Sequence, residues 1–413
     1  MNKARWSHSC MSADTREQLW RAVLNFGVRL FSPKQKAKLW IERSKGHLHE
    51  LIIRETVEDS PHWSCDSLIG LQWGRLRKFE LMASSLERYL GSIDKFQCLS
   101  NLDELEIDKS SWVGTTEDYF TANADERPLR HLTIVNCILD TEGLTPRVKN
   151  LRSFTASRCH GYPGSWAPFL RANPFLETLT LNSMFLGPVE DARLRFNHLT
   201  SLQLTSSVPF EIYSAEMPQL RILRLTSPTI LANHFIQHLV DTNVLRLTEL
   251  CLRSCRFSDM TPLVALLRIS PDLESLEVSN TTAGVTSIIE ALAAHYSPPN
   301  QNPILKDDAP QELALCPRLT HVNFTSCPEV QTGPVVRLIK SRLPPASSPA
   351  TSLETCPLPS VDRIQSLIID YCLNVDATWL PKLKDAVAYV SCVYTTKKTK
   401  YRAAGYVDIN RFS

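Results

Sequence analysis

One short phrase recurs along most of this chain, and the stretch 129–139, LRHLTIVNCIL, is its clearest copy. Apolar residues stand at Leu129, Leu132, Ile134 and Leu139, and Cys137 sits between the last two. Such spacing describes a short strand of period two behind an anchoring leucine, with the cysteine on the turn that follows. A single copy has an apolar face and nothing to bury it against. Copies stacked side by side bury one another, so the phrase demands a repetitive array rather than one closed core.

The phrase fits the leucine-rich repeat template L-x-x-L-x-L-x-x-N/C-x-L. Copies begin at Leu48, Leu76, Leu102, Leu129, Leu151, Leu176, Leu199, Leu220, Leu247, Leu273, Leu319 and Ile364. The nine intervals from Leu48 to Leu273 average about 25 residues, inside the roughly 20–29 that such repeats use. Inward pairs such as Leu179 and Leu181, Leu202 and Leu204, Leu223 and Leu225, and Leu250 and Leu252 are each split by one outward residue. Burying three such side chains per repeat contributes about 5–8 kcal/mol before chain entropy is subtracted. The expected fold is therefore an α/β leucine-rich repeat solenoid, a horseshoe of the ribonuclease-inhibitor kind, with a short helical N-terminal cap.

Between strands the sequence predicts helices. Thr261 reads as the cap of a helix opened by Pro262, with Leu263, Val264, Leu266 and Leu267 as its buried stripe and Pro271 after its end. Stretches 284–296 and 334–343 read likewise. The last two intervals are nearly doubled by polar or proline-rich inserts at 297–311 and 344–359, read as loops. At the N-terminus, 15–30 carries Leu19, Trp20, Val23, Leu24 and Phe26 near helical spacing. A second helix is punctuated by Ser32, Pro33, Gln35 and Gly46. These marks divide the chain into a helical cap over 1–46, the repeats over 47–375, and a C-terminal cap and tail over 376–413.

Composition removes several function classes. A formal net charge of +2 over 413 residues gives no field favouring nucleic acid or a membrane surface, so neither is an expected partner. The opening MNKARWSHSC leads into no signal-peptide core, and no run reaches the roughly 18 apolar residues of a membrane span. A cytoplasmic or nuclear protein is expected. Of twelve cysteines, five share the turn position of their repeats, Cys137, Cys159, Cys255, Cys327 and Cys372, which predicts buried thiols rather than disulfides or a zinc site. No H-E-x-x-H, G-x-S-x-G or P-loop phrase occurs, so no catalytic residue, metal or cofactor is predicted, and the chain reads as a non-enzyme.

What remains is a surface. The third, fifth and seventh template positions point away from the core, to the concave side where solenoids bind their partners. The residues that carry most chemistry there are Glu104, Glu106 and Asp108, then His131 and Thr133, then Arg224, Glu249 and Arg253, a face grading from negative to mixed.

Three phrases, in order, resemble a family. ARWSHSCMSADTREQLWRAV (4–23) is similar to the end of an F-box and its following linker in the F-box/leucine-rich-repeat proteins of mushroom-forming fungi. WIERSKGHLHELII (40–53) resembles that family's W-L-E-R-S-G phrase, and LCPRLTHVNFTSC (315–327) its late LCPxLxxLxLxxC phrase. The resemblance implies the substrate-recognition subunit of a Skp/cullin/F-box ubiquitin ligase, in which the F-box docks on the Skp-family adaptor and the repeats hold a protein target. Trp6, Leu19 and Trp20 are the positions that match residue by residue, and in the family they are mainly packing residues. Only residues 1 to about 12 match the end of the F-box, whose Leu-Pro opening is not seen, so the F-box reads as truncated and adaptor binding by this chain is expected to be weak. The alternative from the repeats alone is a free-standing scaffold or inhibitor with no ligase attached. In either case a monomer is expected.

Overall fold

A computed structural model describes residues 20–26, 48–55, 77–82, 102–108, 129–139, 148–161, 167–184, 194–206, 212, 215–228, 232–242, 246–282, 284–296, 313–343 and 361–393. The chain divides into two compact units, 1–199 with 207–215, and 200–206 with 216–413.

In the first unit the strands are β1 (Trp20–Phe26), β2 (Leu48–Glu55), β3 (Lys78–Met82), β4 (Glu104–Asp108), β5 (His131–Val135), β6 (Ile138–Leu139), β7 (Ser153–Ser157), β8 (His160–Gly161) and β9 (Thr178–Asn182). Strands β1 to β5, β7 and β9 pair in chain order, every pair parallel. The two-residue β6 and β8 make a small parallel pair of their own.

The second unit repeats the plan. Its strands are β10 (Ser201–Thr205), β11 (Ile222–Thr226), β12 (Glu249–Arg253), β13 (Ser275–Ser279), β14 (His295–Tyr296), β15 (Leu313–Ala314), β16 (His321–Asn323), β17 (Ser366–Ile368) and β18 (Tyr389–Ser391). All but β14 and β15 pair in chain order and in parallel, while those two form a short antiparallel ladder. Helices Ala232–Asp241, Thr261–Arg268, Val285–Ala293, Thr332–Ser341 and Leu380–Ala386 return the chain between strands. A parallel neighbour requires such a crossover. The fold is a leucine-rich repeat solenoid, and each of the twelve copies read from the sequence supplies one strand.

The register explains the packing. Leu250 lies opposite Leu223 and Leu276, and Leu252 opposite Leu225 and Val278, so same-position side chains line one continuous core. All six are at most 1% exposed. Just beyond most strands one residue turns left-handed: Asn136, Arg158, Ser206, Ser227, Ser254, Asn280, Ser326 and Tyr371 have φ between 46° and 60°. A side chain there costs roughly 1–2 kcal/mol. The cost is offset because each turned N–H donates to a carbonyl of the next repeat at 2.7–2.8 Å, as Asn136 does to Ser157 and Ser254 to Ser279.

The turn cysteines work in the opposite direction. Cys159 donates its thiol to the Ile134 carbonyl at 3.4 Å, Cys255 to Leu225 at 3.7 Å, Cys327 to Val278 at 3.1 Å and Cys372 to Phe324 at 3.0 Å, each in the preceding repeat. These four and Cys137 are buried free thiols. Burial pushes the Cys159 thiol up to about 11 and those of Cys255 and Cys372 to about 12.

Several expectations are corrected. Trp20–Phe26, expected as part of a helical cap, is a strand that lays Ala22 and Leu24 opposite Leu51 and Ile53. WRAVLNF alternates as readily at period two as at the helical period, and pairing with β2 decides between them. The second N-terminal helix, Trp6 and both inserts lie outside the described residues. Thr261 is not the cap of its helix but its first residue. The N-cap position is Met260, whose side chain makes no capping bond, and Asp259 before it accepts from the Thr261 backbone N–H at 3.0 Å and from its hydroxyl at 2.9 Å. Within the stretch expected as a C-terminal cap, the helix Leu380–Ala386 is followed by β18, which adds a further repeat whose Val387, Val390 and Cys392 are at most 6% exposed.

Candidate partner-binding face

Where the burial of all five residues is described, a five-residue strand buries its second and fourth residues and turns the first, third and fifth to an open sheet face, on which Cys251 and Ser279 are nonetheless covered. The pattern is regular in β5, β7, β9, β10 and β11. All the predicted site residues stand on that face, each within its own unit.

In the first unit Glu104 lies opposite His131, Glu106 opposite Thr133, and Asp108 opposite Val135. Glu104 has a charged partner and Asp108 a neutral one. Lys78 Nζ reaches Glu104 at 3.0 Å, and Asn136 Nδ2 donates to Asp108 at 2.6 Å. His131 is exposed, and Thr133 is half-buried.

In the second unit the predicted cations are not free. Arg224 donates Nε and Nη2 to both carboxylate oxygens of Glu249, at 2.7 and 3.0 Å. Arg253 holds Glu277 in the same bidentate way, at 2.6 and 2.9 Å. Glu249 is therefore the partner of Arg224, and Glu277 is a site residue that reading single strands missed. Repeat alignment carried the signal: in both pairs the glutamate lies on the next strand, one outward position nearer its start. Hydrogen bonding to Glu249 raises the Arg224 pKa, and the Glu277 bond does the same for Arg253. Burial pushes Glu277 up, yet bonds from Arg253 and the Ser279 hydroxyl outweigh it and leave the carboxyl below its ordinary value.

Cys251 occupies the outward position between these pairs, with Arg224 and Glu277 as its register neighbours. It is only 5% exposed. Burial first, and then the charge of Glu277, push its thiol up to about 12, which makes it a poor nucleophile.

No family model matches the chain, and no curated protein matches it. Among solved structures, an internalin of Listeria monocytogenes aligns over 78% of this chain and 85% of its own length, with 15% identity and a TM-score of 0.43. A protein of Bacteroides fragilis aligns over 87% of this chain and 82% of its own, with 14% identity and a TM-score of 0.36. Among the described residues, no group of three or more His, Cys, Asp and Glu side chains is placed to hold a metal ion. No described helix is long and apolar enough to cross a membrane.

Two buried polar residues have structural work instead. Asn173, 0% exposed, accepts from the Leu151 N–H and donates to the carbonyls of Val148 and Phe169, tying neighbouring repeats together. Arg342, 2% exposed, donates to the carbonyls of Leu315 and Cys316, and burial lowers its pKa.

Proposed function

We propose that this chain is a non-enzymatic protein-interaction module, and that it serves as the substrate-recognition subunit of a Skp/cullin/F-box ubiquitin ligase. The observation that carries the first half is the open face itself. Parallel strands in register present rows of polar side chains on a backbone fixed by the core beneath, a pre-organised surface that gives up little entropy on binding. The second half is supported by the sequence phrases at 4–23, 40–53 and 315–327. The last of these forms a complete repeat, with Leu315, Leu319, Val322, Phe324 and Cys327 buried.

The test has two steps. Binding of a purified Skp-family adaptor is measured for the chain alone and for a fusion that places a complete three-helix F-box before Thr15. Ubiquitination of the protein held by the repeats is then followed with a reconstituted cullin ligase. Weak binding by the chain alone, tight binding by the fusion and modification of the held protein are expected. A fusion that binds both adaptor and target yet yields no modified target would refute the ligase role and leave the interaction role standing.

A further inference from the structure

The chemistry of the partner is narrowed by the two arginine pairs of the second unit, an inference that rests on the open face being the binding surface. A guanidinium is a planar fork of five N–H donors with no acceptor. Arg224 and Arg253 each spend the edge made by Nε and one Nη on a glutamate, so the Nη1 side of each fork is turned away from that glutamate. Their side chains remain 41% and 56% exposed. The glutamates hold both forks in one orientation, so the entropy of ordering two long side chains is already lost in the free protein. Among the outward register neighbours of the two pairs, Thr226, Ser275 and Ser279 are short, Gln203, Ile222 and Asn323 are longer, and Cys251 lies buried between the pairs.

The unspent hydrogen-bonding capacity is unequal. Both oxygens of Glu249 and of Glu277 are occupied by their arginines, and Glu277 also takes the Ser279 hydroxyl at 2.8 Å. What these residues still offer is chiefly donors. A planar acceptor matches these donors, whereas a cationic side chain would find only the few lone pairs that the arginines and Ser279 leave on the two carboxylates.

We propose that the open face of the second unit recognises an acidic peptide segment, whose Asp or Glu carboxylate docks against the outer edges of Arg224 and Arg253 while Glu249 and Glu277 hold both arginines in place. Two arginines and two glutamates are neutral together, so recognition comes from fork geometry rather than net field. Replacing arginine by lysine therefore loses it even though the charge is kept.

The experiment is fluorescence anisotropy with the full chain and three labelled extended peptides of equal length, repeating Gly-Asp, Gly-Asn and Gly-Lys. Only the Gly-Asp peptide is expected to bind. R224Q/R253Q and R224K/R253K should each weaken it at least tenfold while retaining the parent's circular dichroism. Cys251 should stay slow toward thiol reagents with peptide bound, because the arginine pairs remain closed. Equal binding of the Gly-Asn or Gly-Lys peptide, no binding of the Gly-Asp peptide, or unchanged binding by the folded lysine variant would overturn the proposal. A photo-reactive residue at Ser275 separates this failure from failure of the broader reading. Partner crosslinks that the Gly-Asp peptide competes away support the proposal, and crosslinks that persist at saturating peptide overturn it while leaving the open face as the binding surface. If photo-reactive residues at Ser275, Thr226 and Thr180 all yield no crosslink to any protein, the open-face reading itself falls, and the proposal with it.

Discussion

Gly284→Ala tests how tightly neighbouring repeats of the second unit are fitted together. Gly284 precedes the helix Val285–Ala293 with φ at 82°, and its N–H donates to the Glu329 carboxylate. An added Cβ would sit 2.3 Å from Met260 Cγ and 2.8 Å from Met260 Cε. Contact at Cγ cannot be relieved by swinging the far end of the side chain, so Met260 must leave its rotamer, and it is 8% exposed with little room to do so. The left-handed alanine costs roughly 1–2 kcal/mol and the forced repacking about 1–3, or about 2–5 kcal/mol together. Urea unfolding would read the total, and hydrogen exchange of the Val285–Ala293 amides would locate it. Met260→Ala alone is destabilising, but in the double variant the repacking component vanishes, so the two changes should cost about 1–3 kcal/mol less than their sum. A Gly284→Ala protein within about 0.5 kcal/mol of the parent, which is the size of an ordinary surface change, would refute the backbone argument. Strict additivity in the double variant would refute the steric one.

Leu250→Asp places an unpaired charge between Leu223 and Leu276 and should cost about 4 kcal/mol or more, so a normal thermal melt would show the register to be wrong. Cys137, Cys159, Cys255, Cys327 and Cys372 should react with thiol reagents only after unfolding, and rapid labelling of the native protein would contradict their burial. Because the Glu277 pKa is lowered from 4.5 in the folded chain, the stability it contributes is fully present above about pH 4.5 and is lost as pH falls through the folded value. The parent's advantage over Glu277→Gln in urea midpoint should therefore shrink on acidification, and a constant difference down to pH 3 would remove Glu277 as its source.

Much of this was legible in the sequence because repetition averages out local ambiguity. Leu250 and Leu252 could be placed by comparison with Leu223 and Leu225, and the turn cysteines by their common offset from the strands. Trp20–Phe26 had no such support, since its apolar residues satisfy both periods and only pairing with β2 resolves them. Arg224, Arg253 and Glu249 could be assigned to the outward face, but whether they were free depended on contacts between repeats, which the pattern within one strand does not contain. Glu277 belongs to the same class. Asn173 and Arg342 stood outside the template altogether, and their importance follows from carbonyls and N–H groups that no side-chain pattern records.

The cross-repeat thiol bonds carry a mechanical consequence. Cys159 and Cys255 reach back 25 and 30 residues, whereas Cys327 and Cys372 reach back 49 and 48, across the stretches that contain the inserts. If either unit is drawn out from its ends by force, each broken interface frees one repeat's length of chain. Ordinary repeats then release about 25 residues, or roughly 85 Å of contour, and the two interrupted ones nearly twice as much. A force–extension trace of the second unit would carry its two inserts as two long steps among short ones, a ruler on which the position of any bound partner could be read.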